Sequence, residues 1–217
     1  MHKIENSNVL KNELIFQYAA GTSSLAKSLM ASTYLFLNSK ESSIYNQFEN
    51  YCGEELKNVS QIEPNKLTAN DCISEQDKVQ ISSSNFTESP LNKFINSLKD
   101  LKWKKVFNGF YEYSFNLSNT EKAKLIKMDP GTKTPLHSHN GKEFILVLEG
   151  NFSDEYGTYS KGSLQINDSK IKHTPIACEN EGCICLSITE DRLVFFGPFA
   201  PILNIITFIK SFFPFSK

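Results

Sequence analysis

His137 and His139, one residue apart, with Glu143 four residues further on, are the side chains whose types and spacing point most directly to chemistry. Side chains repeat every second residue in an extended strand, so both imidazoles lie on one face. Asn140-Gly141 is a turn signal that returns the chain and brings Glu143 back to that face. The apolar run from Phe144 to Leu148 reads as a buried strand that would hold the carboxylate still. Neutral imidazoles with a carboxylate suit divalent zinc, iron, manganese or nickel and are too nitrogen-rich for calcium or magnesium.

The elements that must position these residues fall into two halves. From Val9 to about Tyr51 the pattern is helical. Leu10, Leu14, Ile15 and Tyr18 precede Gly21, where a left-handed turn would end a helix. Ser23 or Ser24 would cap a second helix with a stripe of Leu25, Leu29, Thr33 and Phe36. A third stripe, Ile44, Phe48 and Tyr51, closes at Cys52-Gly53. Residues 58–90 are rich in Ser, Asn, Gln, Glu and Lys and read as a solvated linker. Pro90 opens an amphipathic helix carrying Leu91, Phe94, Ile95, Leu98 and Leu101. Strand alternation then takes over, with Tyr111, Tyr113, Phe115 and Leu117, then Leu125 and Met128, and a hairpin around Gly157. Short strands separated by turns are what a jelly roll requires. The expected fold class is therefore α+β, with a small helical domain over 1–57, a linker over 58–90 and a β jelly-roll domain over 91–217 that ends in an apolar tail. Pro198, Pro201 and Pro214 cut that tail into pieces shorter than the roughly 20 residues a membrane span needs. A helix packed on the barrel or between subunits is the reading we favour for it.

Bulk properties narrow the function. A net charge of -1 with no cluster of Lys and Arg gives no footprint for direct nucleic-acid binding. Five cysteines, an odd number, do not suggest a disulfide framework, and the N-terminal residues lack the apolar core of a secretion signal. The expected location is the cytoplasm. In Gly182-Cys183-Ile184-Cys185-Leu186-Ser187-Ile188, alternation places Cys183 and Cys185 on one face and Ile184, Leu186 and Ile188 on the other. Residues two apart in a strand are separated by roughly 6.6 Å, which is poor geometry for a disulfide.

The spacing from Gly131 through His137, His139 and Glu143 to Gly150 resembles the first cupin motif, G-x5-H-x-H-x3-E-x6-G, with every fixed position filled. That resemblance implies one more histidine from a later strand. His173, in Ile171-Lys172-His173-Thr174-Pro175, is the residue it assigns, which makes an N3O ligand set with zinc the expected metal and iron, manganese or nickel the alternatives. Zinc with four protein ligands would make the site structural or sensory, whereas six-coordinate iron or manganese keeps two positions open. Tyr18-Ala19-Ala20-Gly21 followed by a helix resembles the N-terminal domain of the ChrR-type anti-sigma factors, whose C-terminal domain is a cupin. In that family the first domain binds zinc through a histidine and an H-x3-C-x2-C group. Here the corresponding positions read Val9, Tyr34, Asn38 and Glu41, no set of zinc ligands. Apolar packing must hold the helices instead, with Tyr34 a candidate to fill the space. The Gly-Cys-x-Cys segment resembles the end of the same cupin, which makes Cys183 and Cys185 candidate oxidation sensors; the bland reading is that both are small buried residues.

Three functions follow. The resemblance implies a regulator whose N-terminal helices bind an ECF-type sigma factor, with the metal-binding cupin answering oxidative or photo-oxidative stress. The second is a metal-dependent cupin enzyme of dioxygenase or isomerase type. The third is a non-enzymatic metal-binding cupin whose helices make a homodimer.

Overall fold

A computed structural model describes residues 2–57, 101–115, 117 and 121–205. The linker read at 58–90, most of the helix after Pro90 and the tail beyond Ile205 lie outside the described residues. The order is α1 (His2–Ala19), α2 (Leu25–Leu37), a 3-10 turn (Ser39–Glu41), α3 (Ser42–Lys57), then ten strands, β1 (Lys104–Phe107), β2 (Phe110–Phe115), β3 (Lys122–Met128), β4 (His137–His139), β5 (Glu143–Asp154), β6 (Gly157–Ser160), β7 (Leu164–Asn167), β8 (Ile176–Ala177), β9 (Cys183–Thr189) and β10 (Leu193–Phe195). N-terminal helices followed by an antiparallel jelly-roll sheet are the α+β arrangement expected from the sequence.

The main sheet runs β1-β2-β3-β9-β5-β6, with β7 and β8 also pairing to β5, and β10-β4 forms a separate ribbon. At twelve residues β5 is long enough to serve two neighbourhoods. Its first half pairs with β9 and β7, and its second with β6 and β8. The change occurs at a bulge between Val147 and Glu149, just before Gly150. Gly150 has φ of 69°, and a Cβ there would lie 2.1 Å from the carbonyl oxygen of Gly182, so backbone passes where a side chain would stand. The last fixed glycine of the motif thus sets the bend.

Alternation along β5 and β9 feeds two apolar layers. Phe144, Leu146 and Leu148 face outward with Leu186, Ile188, Ala123 and Leu125, and this face is covered by Leu14, Ile15, Ala26, Met30, Ala31 and Tyr34 of α1 and α2. Ile145, Val147, Cys183 and Cys185 turn inward with Met128, Phe152 and Ala177. Both strand faces are therefore dry, which is why Phe144 to Leu148 is an unbroken apolar run.

The helices depart from the sequence expectation in three respects. The first begins at His2. In α2, capped by Ser24 accepting from the Lys27 amide, the buried residues are Ala26, Met30, Ala31 and Tyr34, whereas Leu25 is 62 % and Phe36 52 % exposed. The small alanines let the helix approach the sheet closely, so Leu25 and Phe36 of the expected stripe turn away, while Leu29 packs against the core. The third runs through Gly53 to Lys57, the glycine costing only about 1 kcal/mol relative to alanine. Polar contacts tie helices to barrel: Lys27 Nζ bridges Glu121 at 3.2 Å and Glu190 at 2.8 Å. The Asn38 amide donates to the Gly162 carbonyl at 2.9 Å. Among the described residues no helix is long and apolar enough to cross a membrane.

Candidate metal centre

Expected ligands His137 and His139 occupy β4, and Glu143 opens β5. The turn between them does not make a hairpin, because β4 pairs with β10 while β5 pairs with β7 and β9. The chain instead crosses from the ribbon to the sheet, and the carboxylate returns from a different wall. His173 comes from the next segment, exchanging backbone hydrogen bonds with His137, with N···O distances of 3.1 and 3.0 Å. One ligating atom from each of His137, His139, Glu143 and His173 lies within 4.8 Å of the others, and all four residues are buried.

The geometry fits a metal ion. His137 Nδ1 lies 2.8 Å from the Pro135 carbonyl, which fixes its proton there and leaves Nε2 as the free lone pair. His173 Nδ1 lies 3.0 Å from Asp154 Oδ2, which has the same effect. Such carboxylate–histidine contacts orient ligand rings at metal sites and raise their basicity. Both ring nitrogens of His139 and Nε2 of His173 are buried without a hydrogen-bond partner. The 2.9 Å approach of His139 Nε2 to Glu143 Oε2 and the 3.5 Å approach of His173 Nε2 lie off the hydrogen-bond direction. These atoms converge on a common point, and buried polar atoms left so are costly unless something satisfies them. A divalent ion at about 2.0–2.2 Å from each would do so after small inward shifts.

Burial and the carboxylates set the charge of these rings, and binding an ion at His173 Nε2 would release the second proton of that ring. Burial lowers the His137 pKa to about 4, against the pull of Glu143, so its ring is neutral. Burial also works against a charged His173, but the Asp154 and Glu143 carboxylates outweigh it and raise the pKa to about 9. Glu143 is held well below the usual carboxylate range, burial being outweighed by the histidines, His139 first.

Asp154 is the functional residue the sequence did not single out. Its side chain is fully buried, and it also accepts from Gln165 Nε2 at 2.7 Å and from the Tyr156 amide at 2.8 Å. Only its placement at the far end of the bent β5 brings it behind His173, and no spacing rule announces that. Cys183 and Cys185 lie on the inward face of β9 as alternation requires, both 3 % exposed. The hydrogen bond that the Cys185 thiol donates to Cys183, and then burial, push that thiol well above its ordinary pKa, so it stays protonated in this fold.

Beside the ligands lies a cavity of about 440 Å³, walled by Phe110, Ile126, Ile145 and Phe195 and rimmed by Lys104 and Lys122. The helical positions Tyr34, Asn38 and Glu41 make no second metal group. Tyr34 is buried, and burial followed by the nearby Glu41 carboxylate raises its pKa to about 12. Glu41 in turn takes Lys11 Nζ of α1 at 3.0 Å, so a buried phenol and an ion pair join the helices. Among the described residues, the four around His139 are the group able to hold a metal.

Comparison with known proteins places these features. Residues 92–191 match the family described as the ChrR cupin-like domain. The chain is 27 % identical over 194 residues to the anti-sigma-E factor ChrR of Cereibacter sphaeroides, covering 86 % of this chain and 91 % of that protein. It also matches the crystal structure of Rhodobacter sphaeroides SigE in complex with the anti-sigma ChrR, at 28 % identity and a TM-score of 0.68, covering 82 % of this chain and 96 % of that one.

Proposed function

We propose, for a chain that is of the ChrR anti-sigma type in both its helical and its cupin part, that it is a cytoplasmic anti-sigma factor whose helices hold an ECF-type sigma factor and whose cupin, through His137, His139, Glu143 and His173, binds a divalent metal. The observation that carries this reading is the length of the likeness: it spans 91 % of the ChrR relative, helices included, and is not confined to the barrel. Apolar side chains offer a docking face. Val9 on α1, and Leu25 and Phe36 on one side of α2 at eleven-residue spacing, are exposed, whereas Phe16 of α1 packs edge-on against Phe48 of α3.

Zinc suits the N3O set, and zinc held by four protein ligands would make the site structural or sensory rather than open to turnover. A metal held by these residues would supply a Lewis-acidic centre shared by two strands, β4 and β5, and the segment that carries His173. The chain's own residues then do the coupling. Ile145 and Val147 carry the inward face of β5, and Phe144, Leu146 and Leu148 carry the outward face against the helices, so a shift of Glu143 along β5 reaches α1 and α2 through packed side chains. Oxidative or photo-oxidative stress acting at this site would have to favour the sigma-free conformation by about 5 kcal/mol to switch the population fully. The cavity beside the ligands supports a second reading, a cupin that binds or turns over a small molecule on the metal, which oxygen uptake with small diketones or thiols would detect.

Co-expression with each ECF-type sigma factor of the same genome tests the main reading. A co-purifying pair is expected, and failure with every genomic sigma candidate would remove it.

A further inference from the structure

The three residues of β4 carry two of the three metal-site histidines, and a strand that short has little stability of its own. Its ladder comes from two neighbours. On one side it meets His173. On the other lies β10, in the register Leu193 to His139, Val194 to Ser138 and Phe195 to His137. Backbone bonds extend this pairing at both ends, from Asn140 N to Arg192 O at 3.2 Å and from Phe196 N to Leu136 O at 3.0 Å. All three histidines therefore sit in one narrow ribbon whose outer strand is β10.

The far edge of β10 is closed by a side chain. Asn204, within the helical residues 200–205, accepts from Phe195 N at 2.8 Å and donates to Phe195 O at 3.1 Å. One amide thus satisfies both backbone groups of the residue opposite His137, as a neighbouring strand would. Lys172, next to His173, lies 4.1 Å over the Phe196 ring, tying the end of β10 to the segment that brings the third histidine. Leu193 and Phe195 also line the cavity. β10, Phe196 and Asn204 lie beyond residue 191, where the match to the cupin-like domain ends.

We propose that residues 192–204 are a strap over the metal site and that Asn204 is its positioning residue, holding β10, and through it His137 and His139, at the spacing the ion requires. A metal constellation must be held within about 0.5 Å of its productive geometry, and loss of an outer support typically costs about 10–100-fold in metal affinity. The inference rests on the metal reading of the four ligands, and its test separates the two.

Full-length wild type, Asn204→Ala and Asn204→Asp are loaded with Zn²⁺, and transfer of the ion to a chromophoric chelator is timed; thermal midpoints are measured on the metal-free proteins. We expect N204A to release zinc about 10–100-fold faster, with the metal-free midpoint within about 2 °C of wild type. Should N204A not fold, N204D, which keeps an acceptor for Phe195 N, is judged by the same two readouts. Unchanged release, or faster release matched by a comparable fall in the metal-free midpoint, overturns the strap. Wild type that takes up no zinc overturns the metal reading on which the strap depends.

Discussion

Asp154→Asn is the most informative single perturbation, because it changes one atom and leaves the volume intact. Asp154 Oδ2 accepts from both His173 Nδ1 at 3.0 Å and Gln165 Nε2 at 2.7 Å, while Oδ1 accepts from the Tyr156 amide at 2.8 Å. All three partners donate. An asparagine must therefore point its NH₂ at one of these groups. If it keeps the Tyr156 bond, the NH₂ faces His173, and the ring must move its proton from Nδ1 to Nε2 to accept it. That removes the lone pair needed at the metal site. If it flips, the NH₂ meets the Tyr156 amide and that bond, which fixes the Asp154 side chain, is lost. Either outcome weakens the support of one ligand, and losses of this type run to about 10–100-fold in affinity, or about 1.4–2.7 kcal/mol. Zinc affinity by competition with a chelator of known strength is the assay, with nitrogen NMR of the His173 ring reporting the tautomer. Affinity within about twofold of wild type, with the proton still on Nδ1, would refute the reasoning.

Other predictions use the helices. Phe36→Asp lies on an exposed surface, so it should shift stability by no more than about 0.5 kcal/mol, yet it should lower affinity for the sigma factor at least about tenfold, since a charge is placed in an apolar contact; co-purification and thermal melting check the two halves. Docking of α2 on the barrel should show a pH window. Burial raises the Glu190 pKa, but Lys27 outweighs it and leaves it depressed below 4.5, so its contribution is present above that value and is lost as pH falls through the lowered one. Burial lowers the Lys27 pKa, but Glu190 and Glu121 raise it above 10.5, so its contribution is present below that value and is lost as pH rises through the raised one. Thermal midpoints measured against pH should fall at both extremes, and Lys27→Met should flatten both flanks.

His137, His139 and Glu143 were legible together because their signals are local, whereas His173 came only from the resemblance to the cupin motif. His137 and His139 obey the two-residue period, Glu143 follows one turn later, and Gly150 marks a bend that only a glycine permits. The inward cysteines followed from the same period. Asp154 was not legible, since its position behind His173 depends on how far β5 bends after Gly150, which no short-range pattern encodes. The buried side of α2 was misread for a different reason. Leucine and phenylalanine outweigh alanine in any apolar stripe, but Ala26 and Ala31 are what let the helix lie close to Leu186 and Ile188, and Leu25 and Phe36 are left on the outside. Those two ends of the expected core stripe belong to the surface proposed for the partner, while Leu29 packs as expected. The replacement of a metal by Tyr34, Glu41 and Lys11 was half visible: the missing ligands and the filling role of Tyr34 could be read, but the partner Lys11, thirty residues from Glu41, could not.

Metal content tests the central claim most directly. Elemental analysis of the complex with its sigma factor should give one equivalent of zinc per chain in wild type, and His139→Ala should carry none while still co-purifying with the sigma factor. Wild type without metal, or a His139→Ala protein that keeps its full equivalent, would contradict the account.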